Sequence, residues 1–80
     1  MQHAAERAIR DGMTQYTHAT GLHALRERIS QWYGHRFGVD VPARRIIITA
    51  GASAALQLAC LALIESGDEV LMPDPSYPCN

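Results

Sequence analysis

Arg45-Ile46-Ile47-Ile48-Thr49-Ala50-Gly51-Ala52-Ser53-Ala54-Ala55-Leu56 is the stretch on which the fold of this chain turns. Its first part is a short β-branched run bounded by Arg and Gly, too short for a helix, and it reads as a buried strand over residues 46–49. Gly51 supplies the backbone freedom for a sharp turn at the strand's C-terminal end. From Ala52 the residues change to Ala, Leu and Gln, strong helix formers, and an apolar helix is expected to about Ser66. The product is strand, glycine turn, helix.

A helix N-terminus leaves backbone N–H groups unpaired and carries a partial positive charge. In an open α/β sheet it sits at the carboxyl edge of the strands, where ligands bind. Ser53 adds a hydroxyl that can either cap the helix or touch a bound oxyanion. No Asp or Glu occurs between Arg45 and Ile64, so an anion there would face no side-chain carboxylate. A self-capped helix start and an anion site both remain open at this point.

Outward from this centre, residues 3–11 read as the end of an amphipathic helix with Ala4, Ala5, Ala8 and Ile9 on one side, stopped by Gly12. Residues 13–20 are polar and irregular, with Tyr16 as their prominent side chain; it serves either packing or a ligand. A second helix is expected from Gly21 to about Phe37. Leu22, Leu25, Ile29, Trp32 and Tyr33 lie on one face of it as a core stripe. Gly38 ends that helix, and Pro42 keeps it from resuming.

Beyond the central helix, residues 65–69 form a polar turn, and Val70-Leu71-Met72 is a second buried strand ended by Pro73. A strand, helix and strand this close together imply a right-handed crossover between parallel strands. The tail Pro73-Asp74-Pro75-Ser76-Tyr77-Pro78 is stiff and places Tyr77 at the sheet edge that carries Gly51-Ala52-Ser53. An anion nest beside a rigid aromatic plate suits a flat, phosphorylated ligand.

Composition bounds the rest. Eighty residues make at most one small domain, 48% hydrophobic with a formal net charge of −1. The basic residues are scattered, which argues against a nucleic-acid surface. All seven of them are Arg, so no chemistry that needs a lysine amine can be done by this chain. Cys60 and Cys79 make no disulfide framework, and Cys60 is expected to be a small core residue. With no secretory signal and no run long enough to span a bilayer, a reduced, cytoplasmic location is the default. His3, His18, His23 and His35 lack the partners of a metal site and read as solvated or packing residues.

The ordered blocks Tyr16-Thr17, Gly21-Leu22, Leu25-Arg26, residues 46–56, Gly67-Asp68-Glu69-Val70-Leu71 and residues 73–78 together resemble the class I/II aminotransferases, over nearly the whole chain. These are pyridoxal-phosphate enzymes of fold type I. The resemblance implies an α/β fold in the order helix–helix–strand–helix–strand with a parallel crossover. On this reading residues 1–80 are an N-terminal fragment of the large domain. The N-terminal arm, most of the sheet and the C-terminal small domain would then lie outside it. Other strands separate these two in the family's sheet, so alone each would present unpaired edges.

The resemblance also assigns roles. Gly51, Ala52 and Ser53 match the turn that holds the phosphate of pyridoxal 5'-phosphate, and Tyr77 matches the aromatic that stacks on its pyridine ring. Tyr16 matches a tyrosine that reaches the phosphate of the neighbouring subunit's cofactor, which implies a homodimer. No catalytic residue is expected here, because the Schiff-base lysine would lie beyond Asn80. The implied activity of the parent is transfer of an amino group between an amino acid and a 2-oxo acid. Alternatives are another fold type I enzyme (a lyase or decarboxylase) and the effector-binding domain of a transcription regulator, which would need a helix-turn-helix region before Met1. A dinucleotide-binding unit is excluded by the missing G-x-G-x-x-G turn, and a nucleotide-triphosphate loop by the missing Lys.

Overall fold

The computed structural model describes residues 1–78, and their regular structure is helical. The elements are α1 (Gln2–Arg10), α2 (His23–Phe37), a 3-10 turn (Ala43–Arg45) and α3 (Ala52–Leu63). They fall in two units, Met1–Ile47 and Ile48–Asn80.

The helices form where the sequence places them, and their ends follow from backbone chemistry. At the end of α1, Gly12 has φ 71°. Its N–H donates to the Ile9 carbonyl at 3.0 Å while the Met13 N–H donates to Ala8 at 2.9 Å, the paired bonds of a Schellman stop. α2 starts at His23, two residues after Gly21, and its last residue is Phe37. Gly38 follows in the left-handed region and donates to the Gly34 carbonyl at 3.0 Å, closing the helix with an αL motif. α3 ends at Leu63 because Ile64 turns to extended angles. After it, the Asp68 carboxylate accepts the Glu65 N–H at 2.8 Å and fixes the polar turn.

Two expectations need correction. Neither residues 46–49 nor residues 70–72 form a hydrogen-bonded strand among the described residues. Ile46 has the extended angles that a β-branched run favours, φ −107° and ψ 127°. A strand is nonetheless a paired object, and no ladder bond joins these residues to a neighbouring strand; the backbone bonds at Ile46 and Thr49 run to Ala43 and Gly51, within local turns. The helix–helix–strand–helix–strand order is thus seen in its helices, while the parallel crossover has no ladder behind it.

The second correction concerns the core. Gly21 is the one buried residue among those described, and no side chain is buried. Of the expected α2 stripe, Ile29 is half-buried while Leu22, Leu25, Trp32 and Tyr33 are exposed. Trp32, Tyr33 and Phe37 gather instead into an aromatic cluster on the surface, with ring centroids 5.2–5.6 Å apart. In the first unit the packed pair of elements is α2 and the 3-10 turn. Cys60, expected in the core, is an exposed free thiol, and Cys79 lies outside the described residues. The physical reason is common to all of these. A helix as apolar as α3 is buried only when other elements cover it, and none in its unit does. No helix among the described residues is long and apolar enough to cross a membrane.

Candidate functional site

Gly51 is the N-cap of α3 and holds φ 87° and ψ 169°, a region that glycine alone occupies without strain. This geometry turns the chain abruptly from residues 46–49 into the helix. Two short bonds lock the turn. The Gly51 N–H donates to the Thr49 carbonyl at 2.9 Å, and the Thr49 hydroxyl donates to the Gly51 carbonyl, also at 2.9 Å. The same carbonyl receives the first helical bond, from the Ala55 N–H at 3.4 Å.

Ala52, Ser53 and Ala54 then begin the helix with their N–H groups unpaired among the described residues. No side chain caps the helix, and its first turn contains no acidic residue. Ser53 is therefore not the cap: it follows Gly51 by two positions, already inside the helix, and its exposed hydroxyl has no partner among the described residues. The reading of a helix start satisfied by its own serine is thus excluded by the geometry. What remains is a set of backbone donors and a hydroxyl at the positive end of a helix dipole, a setting that favours an anion. A Cβ built at Gly51 would meet nothing within 4 Å, and residues 51–53 are exposed.

The other two predicted site residues are Tyr77 and Tyr16. Tyr77 belongs to the same unit, is 66% exposed, and makes no hydrogen bond or ring contact among the described residues. Tyr16 belongs to the first unit, where its loop lines a concavity of about 530 Å³ with Gly12, Met13, Thr17, His18 and Leu22. Its side chain is fully exposed. Downstream in that loop, the His18 Nδ1 accepts the Thr20 N–H at 3.2 Å, and the Gly21 N–H donates to the His18 carbonyl at 2.8 Å. Among the described residues no group of three or more His, Cys, Asp or Glu is placed to hold a metal.

Thr49 is the residue that sequence reasoning passed over. It was read only as the end of a strand, whereas its hydroxyl ties off the carbonyl of the turn. The signal was present in its position two residues before a glycine that starts a helix, where a hydroxyl commonly bonds nearby backbone.

Comparison with known proteins bears on the chemistry of this turn. The profile of the family described as Aminotransferase class I and II matches residues 1–79. An aspartate aminotransferase of Pyrococcus horikoshii is 42% identical over 77 residues, covering 96% of this chain and 20% of the relative. A probable aspartate aminotransferase of Methanocaldococcus jannaschii is 46% identical over 74 residues, 92% of this chain and 20% of its own length. The (5-formylfuran-3-yl)methyl phosphate transaminase of the same organism is 41% identical over 73 residues, 91% of this chain and 20% of the relative. The chain thus spans about a fifth of the length of these curated relatives. No solved structure matches it. With a family profile that runs from its first residue to its penultimate one, the chain belongs to the class I and II aminotransferases.

Proposed function

We propose that this chain is the segment of a pyridoxal-phosphate-dependent aminotransferase that holds the phosphate and the ring of the cofactor. The observation that carries the reading is the start of α3. Unpaired N–H groups on Ala52, Ser53 and Ala54, a free hydroxyl on Ser53, and no acid in the first turn make up the donor set that a phosphate dianion requires. The residues present therefore fit the phosphoryl end of the group.

In this reading the Ala52 and Ser53 amides and the Ser53 hydroxyl donate to phosphate oxygens. Gly51 and Thr49 keep those donors aimed, and Tyr77 lies against the pyridine face. Tyr16 donates its hydroxyl to the phosphate of a partner subunit's cofactor, so the working protein is a homodimer, placed in the cytoplasm. These residues bind and orient; none of them moves a proton. When bound, the cofactor supplies an electron sink for charge developing at the substrate's α-carbon. The substrates are an amino acid and a 2-oxo acid. The relatives' names support amino transfer over a lyase or decarboxylase activity and over an effector-binding role. Those names range from aspartate to a furan phosphate, so the choice of substrate is made by residues other than these.

Replacement of Ser53 by Asp in the full-length protein tests the reading. A carboxylate in the first turn favours the helix by about 0.3–1 kcal/mol through the dipole. Facing a phosphate, the same carboxylate costs several kcal/mol. Stability and cofactor retention should therefore move in opposite directions, with retention falling by about a hundredfold or more. Retention that is unchanged while stability rises would remove the phosphate from this helix start.

A further inference from the structure

We propose that Arg26 is a positioning residue that bolts the Tyr16 loop to the 3-10 turn. The inference rests on the role given above to Tyr16. Arg26 lies in the first turns of α2 and is half-buried, with no carboxylate partner among the described residues. Its Nε donates to the Gly21 carbonyl and its Nη1 to the Ala43 carbonyl, each at 3.3 Å. The second of these spans 17 positions, whereas the other side-chain hydrogen bonds identified span five at most.

What Arg26 grips explains why this matters. Gly21 is the buried residue of the described chain, has φ 98°, and closes the loop by donating to the His18 carbonyl. His18 is in turn held to Thr20, so residues 18–21 form a hydrogen-bonded knot two positions after Tyr16. One guanidinium fixes the far side of that knot to the 3-10 turn at Ala43. A planar fork with donors on two edges can bridge two carbonyls, a task for which the single ammonium of Lys is poorly shaped. Exposed on a short tether, the Tyr16 hydroxyl keeps its position only as long as this knot does.

The test uses the full-length protein with the substitutions Arg26→Met and Arg26→Lys, read by amide hydrogen exchange and by the absorbance of bound cofactor during its dissociation. Loss of two charge-assisted bonds should speed exchange at residues 16–21 by at least about tenfold in Arg26→Met while residues 56–63 stay protected. Arg26→Lys, which keeps the stem and charge if the Met variant fails to fold, should show most of the same loss. Methylguanidinium added to Arg26→Ala should restore protection. Cofactor dissociation should quicken in Arg26→Met and in Tyr16→Phe, and the double variant should be no worse than Tyr16→Phe alone. Unchanged exchange at residues 16–21, or strictly additive losses in the double variant, would overturn the proposal. Should Tyr16→Phe alone leave the cofactor in place, the role given to Tyr16 fails, and the exchange arm still decides what Arg26 does to the loop.

Discussion

Gly51→Ala probes the turn more directly than any other single substitution. At φ 87° and ψ 169° an L side chain is strained by about 1–3 kcal/mol. Nothing lies within 4 Å of the added Cβ, so no clash contributes and the whole cost is in the backbone. Alanine also narrows the unfolded ensemble, which offsets the loss by about 0.4–1 kcal/mol. The balance is a net destabilisation of about 1–2 kcal/mol, a factor of roughly 5–30 in the folding equilibrium. The chain has one way to escape that cost, which is to swing residue 51 to negative φ. Doing so breaks the two 2.9 Å bonds with Thr49 and re-aims the amides of Ala52 and Ser53. Denaturant unfolding of the full-length protein reads the first outcome, and cofactor dissociation followed by absorbance reads the second. One of the two must change. A variant equal to the parent in both stability and cofactor retention would refute the argument that a positive φ builds this site.

Other substitutions separate the remaining contributions. Gly34→Ala, within α2 and with open space at its Cβ, should stabilise the protein by about 0.5–1 kcal/mol in thermal unfolding, since alanine is the better helix former. Thr49→Val keeps the β-branched shape and removes the hydroxyl that binds the Gly51 carbonyl; denaturant titration should show a loss of about 0.5–1.5 kcal/mol. Tyr77→Ala should weaken cofactor retention by about 1–3 kcal/mol without shifting the unfolding midpoint of the cofactor-free protein, because the ring is exposed and touches no other ring.

The sequence was most readable where local chemistry decides the conformation. Gly12, Gly38 and Gly51 were read as punctuation, and the helices end or begin beside them. Helix type over α1, α2 and α3 follows from composition and spacing, which act within a few residues. The strands and the core were less readable because they are relations between distant segments. The run Ile46-Ile47-Ile48 sets an extended backbone at Ile46, but its side chains stay half-buried or exposed without a neighbouring strand. The Leu22 to Tyr33 stripe likewise marks a face that wants cover without supplying the cover. In the site, Gly51 and the helix start were legible from a turn signal and a missing acid. The sequence left Ser53 open between cap and anion contact because a hydroxyl near a helix start is the usual capping group, and only the angles of Gly51 show that the cap position lies two residues earlier. The bond from Arg26 to Ala43 had no local signature at all.

A crystal structure of the full-length protein with its cofactor bound would test the central claim most directly. The account requires phosphate oxygens about 2.7–3.2 Å from the amide nitrogens of Ala52 and Ser53, with the Tyr77 ring against the pyridine face. A phosphate bound elsewhere, or side chains filling the space before α3, would contradict it.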